Sequence, residues 1–192
     1  MTSKCVLGRF LTVTILGALS ACSTAPPAPR DLLDERTGVT VSVVSAPIEF
    51  KHEPNGGSAH GFLTLVAVQR DEDGQYTTLL LLYDWSTYFE EVHVSADADP
   101  DVLEINADGH RIRLQPLPQL PPGLPGPKDL FMPDTKEPAL RAYPTDLQTM
   151  KVIAMSHDLA VRLPKESPVG SFELFRDGRP ALQQFVLHLS GS

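Results

Sequence analysis

Apolar and polar residues alternate with a period of two along much of the chain, the pattern of β-strands with one buried face. Residues 39–43 alternate valine with threonine or serine, and branched side chains favour strands. A shorter run, residues 48–51, follows Pro47 and is predicted to form a strand on an edge of the sheet, where proline is tolerated. Residues 31–36 fit either a strand entry or a helical turn.

Two long apolar runs predict the middle of the sheet. Residues 61–70 and 76–85 are apolar on both faces, and residues 71–75 between them include the glycine that a tight turn needs. Four consecutive leucines, residues 79–82, indicate a strand that is covered on both sides. We therefore expect these runs to form a central hairpin.

A second hairpin is predicted over residues 102–115, because Asp108-Gly109 is a preferred pair for a two-residue type I′ turn. Such a turn places apolar residues on one face and complementary polar residues on the other, as a hairpin with one solvated face requires. The predicted apolar pairs are Leu103 with Leu114, Ile105 with Ile112 and Ala107 with His110; the polar pairs are Asn106 with Arg111 and Glu104 with Arg113.

The C-terminal third predicts two helices and two further strands. Thr145 and Gln148 resemble a capping box before a helix over about residues 146–155, and Pro180 is suited to open a second helix. Residues 159–163 and 172–175 are predicted strands. The expected fold class is α+β: one domain over residues 38–192, mainly an antiparallel β-sheet with about two helices in its C-terminal third.

A proline-rich loop is predicted over residues 116–128. The stretch 115–128 holds six prolines, which neither continue a helix nor enter the interior of a sheet. Long loops without secondary structure are uncommon and are often functional or disordered. Two interpretations remain open here: a solvated crossover, or a polyproline segment that docks a partner.

The first 22 residues have the three parts of an export signal. Lys4 and Arg9 give a positive start, residues 11–19 are apolar, and Ser20 and Ala21 are small. The apolar run is too short to span a bilayer, which needs roughly 20 residues.

The sequence Leu19-Ser20-Ala21-Cys22 resembles the lipobox of bacterial lipoproteins. The resemblance implies that residues 1–21 are removed and that the sulfur of Cys22 is acylated, and several acyl chains anchor a protein stably to a membrane. In such Gram-negative proteins an Asp after the cysteine typically retains the protein in the inner membrane. Ser23 stands there instead, so the resemblance implies the periplasmic face of the outer membrane, with residues 22–37 as lipidated N-terminus and proline-rich linker.

Charge and cysteine content exclude some classes of partner and of metal site. The chain has 16 Lys and Arg against 24 Asp and Glu, a net charge of −8. Removal of residues 1–21 would take away Lys4 and Arg9 and leave a net charge of −10. Such a surface repels phosphate backbones, so we expect no nucleic-acid partner. The cysteines are Cys5 and Cys22, so the predicted mature domain carries no thiol for a disulfide or a thiolate metal site.

An aromatic cluster is the strongest candidate for binding. Tyr83, Trp85, Tyr88 and Phe89 occur at the end of a predicted strand, close to Asp84, Glu90 and Glu91. Aromatic side chains beside carboxylates can stack on sugars or anchor a protein partner. The alternative interpretation is that they close one end of the hydrophobic core.

Other polar groups do not complete a catalytic or metal site in the sequence. The acidic stretch 97–101 and the pair Asp71 and Asp73 form no calcium loop, and His52 and His60 match no zinc spacing. Residues 156–158 read Ser-His-Asp, but triad residues converge through space and are not sequence neighbours. We therefore predict no catalytic residue, no metal and no cofactor.

The sequence thus favours a non-enzymatic, membrane-anchored envelope lipoprotein that acts as a structural or protein-interaction module. Its expected partners are the membrane, through lipidated Cys22, and an envelope protein. The alternative function is a periplasmic module that binds a glycan or a lipid, through the aromatic cluster or the proline-rich loop.

Overall fold

The structure is a computed structural model that describes residues 27–52, 61–86, 102–132, 139–163 and 172–191. Within these ranges the fold is α+β and mostly antiparallel sheet, as predicted. The elements are β1 (Arg30–Asp34), β2 (Val39–Val43), β3 (Ile48–His52), β4 (Gly61–Glu72), β5 (Gln75–Ser86), β6 (Leu103–Ala107), β7 (His110–Leu114), β8 (Ala139–Pro144), α1 (Leu147–Met155), β9 (Leu159–Arg162), β10 (Phe172–Arg176) and α2 (Arg179–Ser190).

The hairpin β4–β5 is the centre of the sheet, which confirms the prediction. β5 pairs with β4 on one side and with β8 on the other. The opposite side of β4 carries two strands, β3 along its first half and β2 along its second half. β1 extends the sheet beyond β2, and the order beyond β3 is β10, β9, β6 and β7.

The prediction of an edge position for residues 48–51 is wrong. β3 lies between β4 and β10 and pairs with both. The physical reason is that Pro47 precedes the strand, so its missing N–H falls outside the hydrogen-bond ladder and β3 keeps all of its donors.

The predicted register of the second hairpin is confirmed at every pair from Leu103 with Leu114 to Ala107 with His110. Asp108 has φ 51° and Gly109 has φ 83°, the positive values of a type I′ turn. The turn between β4 and β5 has the same composition, Asp73-Gly74, and is shorter than the five-residue connection that the sequence suggested.

Residues 30–34 form a strand and not a helical turn. β1 pairs antiparallel with β2 over its full length, from Arg30 opposite Val43 to Asp34 opposite Val39. This strand lies within the range 22–37 that the sequence assigned to the lipidated N-terminus and linker. Among the described residues, sheet pairing therefore begins at Arg30.

The two helices cover the face of the sheet that carries Leu63, Leu65 and Ala67 of β4, named here the back face. Gly178, the residue before α2, lies against the backbone of Pro47, and His188 in the last turn of α2 lies 3.6 Å from the carboxylate of Asp31 in β1. The apolar sides of both helices join one hydrophobic core with the back-face residues; these helix residues are Met150, Ile153, Ala181, Leu182, Phe185 and Val186.

The proline-rich segment covers part of the opposite face, which carries Phe62, Val68 and Arg70 and is named here the front face. Nε of buried Arg70 donates to the carbonyl of Pro122 at 3.0 Å. Arg30 of β1 donates to the carbonyl of Asp129 at 2.7 Å, and Leu130 is buried in the core. The segment is a loop, as predicted, but it is packed as a layer over the sheet and is more than a solvated crossover.

The sheet is strongly curved. The N–H of Leu117 donates to the carbonyl of Ala142 in β8 at 2.8 Å, only three residues after β7 ends at Leu114. Three residues span at most about 11 Å, whereas the path from β8 to β7 through the strands is seven spacings of about 4.8 Å. The two ends of the sheet must therefore bend toward each other.

The helix cap predicted at Thr145 lies one residue later. The Asp146 carboxylate accepts the N–H of Thr149 at 2.6 Å, and α1 begins at Leu147. Thr145 is still tied to the sheet, because its N–H donates to the carbonyl of Thr78 at 3.0 Å. The predicted helix opened by Pro180 is confirmed, with Pro180 in the first turn and Gly178 as the cap residue.

Gly178 is required by the contact between α2 and β3, since a Cβ there would overlap the carbonyl of Pro47. We expect Gly178→Ala to lower the free energy of unfolding by about 2 kcal/mol, because the backbone must shift to admit the methyl group. For a domain of this size the Tm falls by about 4–8 °C. The matched control is Gly126→Ala, whose Cβ meets no atom within 4 Å. Equal losses in both variants, measured by thermal unfolding, would contradict this account.

Candidate interaction surface around Trp85

The aromatic residues proposed from the sequence divide into two pairs. Tyr83 and Trp85 lie on β5, with their side chains on the front face. Tyr88 and Phe89 lie outside the described residues, as does Cys22. The geometry of the candidate surface therefore rests on Tyr83, Trp85 and their neighbours.

Trp85 is half-buried, and both its ring and its N–H have partners within the protein. Phe62, directly opposite in the register of β4 and β5, stacks on the indole with ring centroids 4.4 Å apart and an interplanar angle of 12°. Nε1 of Trp85 donates to the hydroxyl of Thr64 at 3.0 Å. One ring face and the only polar atom of the indole are thus already used in packing.

Tyr83 is fully buried between Thr64 of β4 and Leu140 of β8 in the register of the sheet. Its hydroxyl makes no hydrogen bond with the described residues. Burial raises the pKa of this phenol far above its usual range. An unsatisfied buried hydroxyl costs about 1–3 kcal/mol, so the ring contributes apolar packing at some expense to stability. It offers no surface to a partner in this structure.

Phe175 is the aromatic residue that sequence reasoning missed. It is 54% exposed and lies where the pairing of β10 with β3 is irregular, between Leu174 and Arg176. Its ring meets Phe62 edge-on, with centroids 5.7 Å apart and an angle of 67°. A signal was present in the sequence, because the period of two places Phe175 on the same side of β10 as exposed Glu173.

Phe62, Trp85 and Phe175 form a continuous row of rings across the front face, named here the aromatic strip. Charged groups surround its exposed end. Nζ of Lys51 lies 5.7 Å above the ring centre of Phe175, and Nη1 of Arg176 lies 2.9 Å from a carboxylate oxygen of Glu49. The strip therefore ends in an exposed aromatic ring with a charged rim.

The Ser-His-Asp sequence at residues 156–158 forms a structural junction. The carboxylate of Asp108 accepts the N–H groups of His157 and Asp158 at 2.9 and 2.7 Å. Nη1 of Arg179 donates to the carbonyls of Ser156 and His157 at 2.6 and 2.7 Å. These bonds join the end of α1, the β6–β7 turn and the start of α2.

The remaining candidate ligands are separate from one another. The ring of His52 lies 5.6 Å from that of Phe172, and the carboxylate of Asp71 accepts the N–H of Gly74 at 2.8 Å within the β4–β5 turn. Within the described ranges, no three His, Cys, Asp or Glu residues converge as metal ligands would. His60 and the acidic stretch 97–101 lie outside the described residues.

None of the helices in the described residues is long and apolar enough to cross a bilayer. No protein-family model matches the chain, and neither curated proteins nor solved structures show significant similarity to it.

The packing of Trp85 predicts a stability role that is measurable without a ligand. We expect Trp85→Ala to lower the free energy of unfolding by about 3 kcal/mol, because it removes the ring that stacks on Phe62. Trp85→Phe keeps an aromatic ring opposite Phe62 and loses the bond to Thr64 and the second ring of the indole, so its expected cost is smaller, about 1–2 kcal/mol. Urea unfolding followed by circular dichroism measures both, since Trp85 is the only tryptophan and its loss removes the fluorescence signal. Equal costs in the two variants would contradict the stacking argument.

The junction at Asp108 predicts a pH dependence of stability. The N–H of Asp158, and next that of His157, lower the pKa of the Asp108 carboxyl in the folded state. Its contribution is therefore complete above the unfolded-state pKa of about 4 and is lost as pH falls through the lower folded-state value. We expect the stability difference between wild type and Asp108→Asn to narrow below pH of about 4 in urea titrations. Asp73→Asn, at the same position of the other turn, is the control, because only Asp108 of these two turn residues accepts the N–H groups of His157 and Asp158. A narrowing of the same size in this control would contradict the account.

Proposed function

We propose that the protein is a non-enzymatic envelope lipoprotein, anchored through Cys22, that binds a protein partner at the exposed end of the aromatic strip. The single observation that carries the binding part is Phe175, an aromatic ring 54% exposed on an ordered strand. Exposed apolar groups with a polar rim are typical of interaction sites.

The surroundings of Phe175 resemble the anatomy of a binding hot spot. The edge-on contact with Phe62 holds the exposed ring of Phe175 in a fixed position. A ring that is already fixed loses less conformational entropy on binding. Arg176, whose side chain is 66% exposed, and Lys51 supply charged groups beside it. Aromatic and arginine side chains contribute most to the affinity of protein interfaces.

Trp85 distinguishes this proposal from the glycan-binding alternative. A sugar platform needs an accessible ring face and hydrogen-bonding groups around it. Phe62 stacks on one face of the Trp85 ring, and Thr64 accepts the N–H of Trp85. Phe175 is therefore the ring of the strip that is exposed to a partner. A single ring among charges supports a flat protein contact better than a sugar-binding cleft.

The anchoring part of the proposal rests on the lipobox resemblance and on the short connection to the sheet. Residues 23–29 separate Cys22 from Arg30, the first residue of β1. Seven extended residues reach at most about 25 Å, so an acylated Cys22 would hold β1 close to the bilayer surface.

The test compares two exposed aromatic residues in intact bacterial cells. Phe175→Ala removes the proposed anchor, and the matched control Tyr76→Ala removes a ring that is 64% exposed in the distant β4–β5 turn region. Tagged wild type and both variants are cross-linked, extracted in mild detergent and analysed by mass spectrometry, beside Cys22→Ala. We expect one defined envelope protein to be lost in Phe175→Ala and kept in Tyr76→Ala.

Recovery of the same proteins with Phe175→Ala and wild type would overturn the proposed site. Capture of peptidoglycan fragments or lipid that depends on Phe175, with no protein, would favour the glycan or lipid alternative. If Cys22→Ala still incorporates radiolabelled palmitate at the wild-type level, the anchoring part is wrong.

A further inference from the structure

The outer edge of β7 carries backbone groups that have no partner among the described residues. Ala107 and His110 close a two-residue turn and so form a hydrogen-bonded pair, and pairs alternate along an antiparallel ladder. Asn106 with Arg111 and Glu104 with Arg113 are therefore non-hydrogen-bonded pairs. The N–H and C=O groups of Arg111 and Arg113 point away from β6, and no described residue hydrogen-bonds to them.

The same two arginines project their side chains onto the front face. Arg111, Arg113 and Arg162 are all exposed there, on β7 and β9, with Glu104 and Asn106 of β6 between them. Three arginines against one glutamate give a local charge of +2 on a chain of net charge −8. Nε of Arg113 lies 3.1 Å from Glu104, whereas Arg111 and Arg162 make no ion pair with described residues.

We propose that β7 is a docking edge for an extended protein segment in which acidic and apolar residues alternate. Each acidic residue of the added strand lies opposite Arg111 or Arg113, exchanges two backbone hydrogen bonds with it and presents its carboxylate to the guanidinium. The apolar residues between them fall on the back face, beside Ile112 and Leu114, which pack against the hydrophobic core. Charge complementarity selects this occupant, and the surface is distinct from the aromatic strip.

The length of the added strand is limited at one end. After Leu114 the chain turns toward β8, where Leu117 bonds to Ala142. The docked segment must therefore extend past His110 and the Asp108-Gly109 turn, not past Leu114. Charged residues on an edge strand also discourage its pairing with other chains. The experiment must therefore distinguish specific docking of a segment from this general protection against aggregation.

The probe is a short fluorescent peptide in which aspartate and valine alternate, with binding measured by fluorescence anisotropy on the full chain. Two further peptides carry N-methyl groups, one on the aspartates and one on the valines. Only the aspartate N–H groups face β7 in the proposed arrangement, so methylation of the aspartates abolishes binding and methylation of the valines does not. If the peptide binds only through attraction between its carboxylates and the arginines, the two methylated peptides should bind equally well.

Reversing the charge of Arg111 and Arg113 tests whether their side chains contribute to binding. We expect Arg111→Glu/Arg113→Glu to weaken binding about tenfold or more, because two cross-strand attractions become repulsions. The control Arg36→Glu/Lys151→Glu changes the net charge equally at exposed positions on the β1–β2 turn and α1. Arg111→Glu alone leaves the Glu104–Arg113 pair intact and should weaken binding in the same direction.

Several results would overturn the docking edge. The peptide fails to bind, binds equally after either methylation, or is weakened as much by the control reversal as by the β7 reversal. Binding of inorganic polyphosphate or anionic vesicles that depends on Arg111, without binding of the peptide, would assign the arginines to phosphate recognition instead.

Discussion

The twelve-residue pairing of β4 with β5 is the contact on which the rest of the fold depends. Its middle is apolar on both faces, from Val66 opposite Leu81 to Val68 opposite Leu79, so each face must be covered by another layer. The two helices cover the back and the proline-rich segment covers part of the front. On the front of β10, β9 and β7, exposed residues such as Phe175, Arg162 and Arg111 belong to the two proposed interaction surfaces.

Local chemistry explains which elements could be predicted from the sequence. The β6–β7 register followed from Asp108-Gly109, since two positive φ angles leave few turn geometries. The period of the apolar residues was enough for β2, β4, β5 and α2. The position of β3 was not predictable, because its neighbour β10 lies more than 100 residues further along the chain and no local pattern encodes that pairing. The residue type of Thr145 suggests a helix cap, but its N–H bonds to Thr78 of β5, a contact that depends on tertiary structure.

The candidate surface was only partly predictable for a similar reason. Trp85 and Tyr83 were identified by residue type, but whether an aromatic ring closes the core or faces a partner depends on the strand opposite it. Phe62 stacks on one face of the Trp85 indole, and the hydroxyl of Thr64 accepts its N–H. Tyr83 is fully buried and so cannot contact a partner. The alternation along β10 places Phe175 on the same side as exposed Glu173, but no local pattern encodes the irregular pairing of β10 with β3 beside it.

The pairing of β3 with β10 has a consequence for the order in which the chain folds. The ion pair between Glu49 and Arg176 joins residues 127 positions apart, and β10 also joins β9 and the β6–β7 hairpin to the rest of the sheet. Contacts between such distant parts of a chain form slowly, since a long loop must close first. Until β10 arrives, β3 presents a bare strand edge, which can pair with other chains. The chain must therefore be synthesised at least as far as Arg176 before the sheet is complete, and the interval before that is when the protein is most exposed to misassembly.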